Sequence, residues 1–427
     1  MKRNSTDKKP IKRARATIAA MLFVSSIAVS TASFAGEAPP FIPLNYDYST
    51  INITNWNEPQ NRHWSWWNLD KVIPFPVEIG RGATPVHQFG KNYRDISEVS
   101  VSYYGREMKL AEYLIYSRTD GFLVIKDNKI IYEAYPRQMR QSDRHGAMSS
   151  SKSFIPAVLG DLIDAGKIDP KATIEKYIRD VGTAYTGVTV QNALDMYVNI
   201  QWSEDYSNPK SEGIEIFQAE AMHPGYEKWE GGARDFLRGL KKSEKLTDGI
   251  TRYTTSNSSV LGWLMTEVTG IPWNRLAQKA IWEKIGAERN ALNFEDQTGY
   301  GQSSGSFVMT LRDFARFAQI YAGKGVAGNG ERIFSEQWFN AIVNNRNATK
   351  YYPGIFDSEW RYSHQMILND KGGMAHLGYG GQIWYANYKT GVVIVKMSTL
   401  DNFAAADKDT LLATVNMVKR IDDYLSR

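Results

Sequence analysis

Apolar and polar positions divide the chain into four stretches. The first 35 residues run from a basic lead-in (Lys8, Lys9, Lys12, Arg13, Arg15) through an apolar segment, Ile18 to Val29, to small residues at Ser33 and Ala35. That order is the pattern of a secretory leader cleaved after Ala35, so export, to a bacterial periplasm, is expected. Residues 36–118 show little periodicity but gather Trp56, Trp64, Trp66 and Trp67 among Pro59, Pro74 and Pro76. They read as an extension that wraps a larger domain and docks through its aromatic side chains.

From Gly121 the pattern sharpens. Phe122-Leu123-Val124-Ile125-Lys126 and Ile130-Ile131-Tyr132-Glu133-Ala134 flank Asp127-Asn128-Lys129, which predicts a β-hairpin with a tight polar turn. Ser149 to about Ala165 has helical spacing and stops at Gly166; Pro156 inside it should kink the helix or mark a late start. Helical spacing recurs near 190–198, 233–240, 258–269 and 311–322. Strand patterns return at 382–388 and 391–396 around a Lys389-Thr390 turn, and a last helix spans about 407–424. Strands from both ends of the chain with helices between them predict an α/β (α+β) fold. One antiparallel sheet, flanked by terminal helices, carries an inserted all-helical region. The boundaries are 36–118 for the extension and 119–427 for the main domain, whose sheet part is 119–148 with 302–427 and whose helical part is 149–301.

Composition narrows the chemistry. About 42% of the 427 residues are apolar and 12% aromatic, enough for a large core. Of the 51 basic side chains seven lie in residues 1–35, against one of the 46 acidic ones, so the chain beyond the leader is close to neutral and no nucleic-acid partner is expected. After residue 40 no run is long and apolar enough for a membrane span. Cysteine is absent, which removes disulfides and thiol catalysis. The six histidines, at 63, 87, 145, 223, 364 and 376, have no metal-ligand spacing, so neither metal nor cofactor is expected.

The chain does hold a candidate motif for serine chemistry. A serine hydroxyl needs an adjacent base and an oxyanion site. Ser-x-x-Lys supplies a base on the same helix face, provided burial or a neighbouring cation lowers the lysine pKa. The motif occurs at Ser5–Lys8, in the leader, at Ser207–Lys210, in a proline-containing loop, and at Ser149–Lys152, where a long apolar helix opens. Only the last has the required context. A rival, Gly301-Gln302-Ser303-Ser304-Gly305, fits the nucleophile elbow of α/β-hydrolases but lacks the apolar strand before it and the helix directly after. It reads as a glycine-rich loop at the pocket edge.

Two further blocks follow Ser149-Ser150-Ser151-Lys152 in order: Tyr253-Thr254-Thr255-Ser256-Asn257 before a helix, and His376-Leu377-Gly378-Tyr379-Gly380-Gly381-Gln382 at a strand. With Trp202-Ser203-Glu204-Asp205-Tyr206 they resemble the serine β-lactamase and penicillin-binding superfamily, in its class C-like branch. Within it, they are most similar to 6-aminohexanoate-dimer hydrolases. The resemblance implies an acyl-enzyme on Ser149, with Lys152 as base and Tyr253 as proton shuttle. It implies an oxyanion hole from the N–H groups of Ser149 and Tyr379, and substrate contacts from His376, Gly378, Asn257 and Tyr206. The substrate is then a small amide or ester. The family's usual Lys-Thr-Gly on that strand is here His376-Leu377-Gly378, which disfavours β-lactam and D-peptide substrates. The competing expectations are a penicillin-binding relative that acts on cell-wall D-peptides or binds them without turnover, and a structural envelope protein. Nothing in the sequence sets an oligomeric state.

Overall fold

The computed structural model describes residues 46–244, 250–345, 350–351, 359–400 and 408–427; the leader expected over 1–35 lies outside them. The central feature is an eight-stranded sheet. Its order is Trp360–Ser363, Met366–Asn369, Gly373–Gly378, Gln382–Asn387, Val392–Ser398, Thr119–Lys126, Lys129–Ala134 and Gly90–Lys91. All neighbours are antiparallel except the last, where Gly90–Lys91 pairs parallel with Lys129–Ile130. The hairpin turn is Asp127-Asn128, both at positive φ (50° and 63°), the twist a two-residue hairpin requires.

Both faces of this sheet are covered, and the period of two sorts its side chains. On one face Leu123, Ile125, Val393, Val395 and Trp384 join a large core with the helices Phe154–Asp164, Thr255–Thr269 and Leu311–Ala322. On the other, Phe122, Val124, Val392, Ile394 and Tyr385 meet the helices Leu110–Tyr116 and Lys408–Leu425. The mixed α/β fold, a large sheet flanked by terminal helices, is the expected one.

Details differ from expectation in two places. The extension is more regular than its sequence implies: it contains strands Pro76–Ile79 and Gly90–Lys91, the hairpin Ser100–Tyr103/Arg106–Lys109 and the helix Leu110–Tyr116. These strands have two to four residues, too few for alternation to register. The stretch expected to be all helical includes Ala291–Phe294, which joins a second, four-stranded sheet of order Pro76–Ile79, Ala291–Phe294, Val308–Thr310, Arg144–Gly146. All four of its residues are buried, so no polar alternation marks it as a strand. Pairing of Pro76–Ile79 with Ala291–Phe294 stitches the extension to the body. Trp56 adds an indole N–H to the Met222 carbonyl (3.2 Å).

The segment after Ser149 resolves the question set by Pro156. Met148–Ser153 is a 3₁₀ turn and the α-helix begins at Phe154, which puts Pro156 in its first turn, where a missing N–H costs nothing. Phe154 stacks on Phe307 and Phe317 (centroids 4.3 and 3.8 Å) and anchors the helix. Later in the helix, Gly160 faces Trp338, whose indole N–H is tied to the Pro156 carbonyl (2.9 Å). A Cβ at Gly160 would lie 2.3 Å from Trp338 Cδ1 and 2.9 Å from Phe334 Cβ. Alanine favours a helix over glycine by about 1 kcal/mol, but overpacking a fixed ring costs about 1–3 kcal/mol. Gly160→Ala is therefore expected to lower the denaturation midpoint in urea; a raised midpoint would show that the Trp338 contact is not rigid.

Candidate active site

Ser149 and Lys152 sit on the 3₁₀ turn. With three residues per turn, side chains at i and i+3 eclipse, and Lys152 Nζ donates to Ser149 Oγ at 3.2 Å. The residue before the serine, Met148, is held at φ +49°, a left-handed conformation that costs a non-glycine residue about 1 kcal/mol or more. Strand Gly373–Gly378 lies directly against this turn. A Cβ on Gly378 would approach the Ala147 carbonyl oxygen to 2.6 Å, so only glycine permits the approach.

Lys152 is fully buried. Burial pushes its pKa down to about 8, with Glu204 and Glu220 pulling the other way. A second acceptor, the Ser304 carbonyl, takes another N–H, and the Tyr253 ring lies 5.2 Å from Nζ. The loop carrying Ser304 is the glycine-rich 301–305 segment, here a support for the lysine. Its Gln302 Nε2 (2.9 Å) and Ser304 Oγ (2.5 Å) donate to Glu220 Oε2, and Ser259 Oγ donates to Oε1 (2.6 Å). Burial raises the Glu220 pKa while these hydroxyl and amide donors and Lys152 lower it. Glu204 accepts from the Thr255 N–H (2.6 Å) and the Tyr206 hydroxyl (2.5 Å), which ties Tyr206 to the helix start behind Tyr253.

His376 is buried on the strand beside the lysine. Burial, with the Lys152 charge adding to it, lowers its pKa to about 3. Nδ1 lies 2.7 Å from the Leu377 carbonyl, so the neutral ring carries its proton there. Nε2 is left as a bare acceptor without a partner among the described residues.

Above Ser149 opens a cavity of about 370 Å³. Ile53, Trp56, Met148, Ile214, Phe217 and Met222 make its apolar walls, and Tyr206, Tyr379, Ser304 and Gly305 reach it as well. Of the residues singled out in the sequence, Ser149, Tyr206 and Tyr379 line the cavity, with Lys152, Tyr253, His376 and Gly378 clustered around Ser149 as described above. Asn257 is not among the lining residues: it is fully buried and its Oδ1 accepts the Tyr185 hydroxyl (3.1 Å).

Sequence reasoning missed Glu220 and Arg62. Arg62 donates to the Tyr379 hydroxyl (2.7 Å), the Leu400 carbonyl (3.1 Å) and the Asn57 carbonyl (2.8 Å), and its guanidinium lies 4.9 Å from the centre of the Tyr379 ring. Its one sequence signal is a cation set among four tryptophans.

Comparisons with known proteins bear on this arrangement. The family model described as beta-lactamase matches residues 117–416. A 6-aminohexanoate-dimer hydrolase from Paenarthrobacter ureafaciens is 30% identical over 365 residues, 81% of this chain and 88% of that protein. A Bacillus anthracis protein proposed to be a 6-aminohexanoate-dimer hydrolase superposes with a TM-score of 0.79 at 24% identity, covering 89% of this chain and 98% of that one. A D-amino acid amidase from Ochrobactrum anthropi SV3 shares the fold with a TM-score of 0.52 at 17% identity, over 72% of this chain and 95% of the other.

A lysine held at about 8 has a kinetic signature. Below that pH Lys152 is protonated and cannot accept the serine proton. For an uncharged ester, kcat/KM is expected to fall about tenfold per pH unit below 8 and to level off above it. A flat profile between pH 6 and 9 would contradict this reading of Lys152.

Proposed function

The chain belongs to the beta-lactamase family and is a serine hydrolase; from that premise we propose that it cleaves linear amides or short esters of the 6-aminohexanoate type through an acyl-enzyme on Ser149. The observation that carries the proposal is the 3.2 Å contact between the buried Lys152 amine and Ser149 Oγ at the floor of a mainly apolar cavity, which Glu58, Arg62 and His223 also line.

In the first half-reaction neutral Lys152 takes the Ser149 proton as Oγ attacks the substrate carbonyl carbon. The tetrahedral oxyanion is held by the N–H groups of Ser149 and Tyr379. As the intermediate collapses, the amide or ester bond breaks and the proton passes from Lys152, by way of Tyr253, to the leaving nitrogen or oxygen. In the second half, water enters, gives up a proton along the same route and attacks the ester. The acid leaves and Ser149 regains its proton.

The substrate class follows from the walls. A polymethylene chain gains about 25 cal/mol for each Å² it buries against Trp56, Ile214, Phe217 and Met222. The strand that binds a carboxylate in penicillin-type enzymes has no donor to offer. His376 is neutral with its proton committed to Leu377, and Leu377 has none. Export through the leader is part of this reading; among the described residues no helix is long and apolar enough to cross a membrane.

Fluorophosphonate labelling with peptide mapping, run beside a screen of p-nitrophenyl esters, linear 6-aminohexanoate amides and nitrocefin, tests the proposal. The label is expected on Ser149, with turnover of the linear amide or ester. Ser149→Ala is expected to lose at least about 10³-fold in kcat, and Tyr253→Phe about 10²- to 10⁴-fold. A label on another residue, or nitrocefin as the preferred substrate, would contradict it.

A further inference from the structure

Strand Val392–Ser398 carries a side chain that its own pattern does not explain. Val392 and Ile394 face the core beneath the terminal helices, and the next position on that face is Lys396. It is fully buried, a rare and costly place for an amine unless hydrogen bonds hold it. Its Nζ donates to Ser398 Oγ (2.8 Å) and to the Gly381 carbonyl (3.2 Å), and lies 6.0 Å from the centre of the Tyr113 ring.

These partners lead to one place, the turn that joins strand Gly373–Gly378 to strand Gln382–Asn387. Ser398 Oγ donates onward to the Gly380 carbonyl (2.8 Å). Gln382 Nε2 donates to the Tyr379 carbonyl (3.1 Å), while its Oε1 accepts the Ser398 N–H (3.0 Å). The carbonyls of 379, 380 and 381 are thus each held from behind. The Gly381 N–H closes the turn on the Gly378 carbonyl (3.2 Å). In a trans peptide the N–H points opposite to the carbonyl, so fixing the Gly378 carbonyl inward aims the Tyr379 N–H outward.

The other side of the turn is packed by Trp66, 5.9 Å from the Tyr379 ring; a Cβ on Gly380 would lie 2.2 Å from the Trp66 ring. Gly380 and Gly381 both sit at positive φ (76° and 87°), a backbone that would relax if its carbonyls were released.

We propose that Lys396 is a positioning residue of the oxyanion site: through Gly381 and Ser398 it fixes the 378–382 turn and with it the direction of the Tyr379 N–H. The proposal rests on the acyl-enzyme reading, in which that N–H binds the oxyanion. Burial lowers the Lys396 pKa to about 7, with Asp120 pulling it up. Two N–H donors remain in either protonation state, so the turn is held in both.

The test compares Lys396→Met, Lys396→Gln and Ser149→Ala with the wild type on a p-nitrophenyl ester. Methionine fills the same space without a donor, and leaving the buried Gly381 carbonyl without its donor costs some stability. Lys396→Met is expected to stay folded at the assay temperature with KM unchanged while kcat falls roughly 10- to 100-fold, short of the full loss of an oxyanion donor. Glutamine returns a donor to Gly381 and is expected to recover part of that kcat. Wild-type kcat in Lys396→Met, or a loss that tracks the melting temperature and that glutamine does not relieve, overturns the proposal. Should Lys396→Met not fold, Ser398→Ala removes the hydroxyl that links Lys396 to the Gly380 carbonyl and leaves Lys396 its bond to the Gly381 carbonyl, and the same choice between a kcat-only loss and wild-type kcat decides. An active Ser149→Ala would overturn the acyl-enzyme reading itself. An inactive Ser149→Ala beside a fully active Lys396→Met would overturn only the role of Lys396.

Discussion

A lysine amine kept from water against a serine hydroxyl is the constraint around which the rest is arranged. Moving Lys152 from an ordinary 10.5 to about 8 amounts to about 3 kcal/mol against its charged form. Burial alone would push it further. Glu204 and Glu220 pull it back, and both carboxylates are held by other donors, so neither needs to close on the lysine. The amine is left able to hold a proton briefly and return it, which a serine needs from its base.

Three parts of the chain supply that environment. The helical region supplies Ser149 and Lys152 on one tight turn, with Tyr253 beside them. The large sheet presses strand Gly373–Gly378 against that turn and brings His376 and Tyr379 to it. The extension closes the cavity: Trp56 and Ile53 form a wall, Arg62 lines the cavity and holds the Tyr379 hydroxyl, and Trp66 packs beside the Tyr379 ring. A segment that reads as an appendage in the sequence is therefore part of the site, and truncating it would open the cavity to water.

What could be read from the sequence follows from range. The hairpin at 122–134, the helices 190–198, 258–269 and 311–322, and the strands at 382–396 are strong local patterns, and the structure contains each of them with shifts of a few residues at the ends. The structure brings Ser149, Lys152, Tyr253 and Tyr379 near one another, and each stands in a short ordered block of the sequence. Glu220 belongs to no block and meets Ser304 across 84 positions of sequence. The same holds for Arg62, which finds Tyr379 across 317 positions. Lys396 stood in plain view at the end of a strand, but a lysine closing an apolar run reads as the exposed end of that strand. Only the hydrogen bonds turn it into a buried support.

The central claim is that Lys152 is a buried amine which loses its proton near neutrality, and its own titration tests this most directly. In protein carrying ¹³C at the lysine Cε, the Lys152 resonance can be assigned with Lys152→Met and followed from pH 6 to 11. It is expected to titrate with a midpoint near 8. A midpoint above 10, that of a solvated lysine, would contradict the account of how Ser149 is activated.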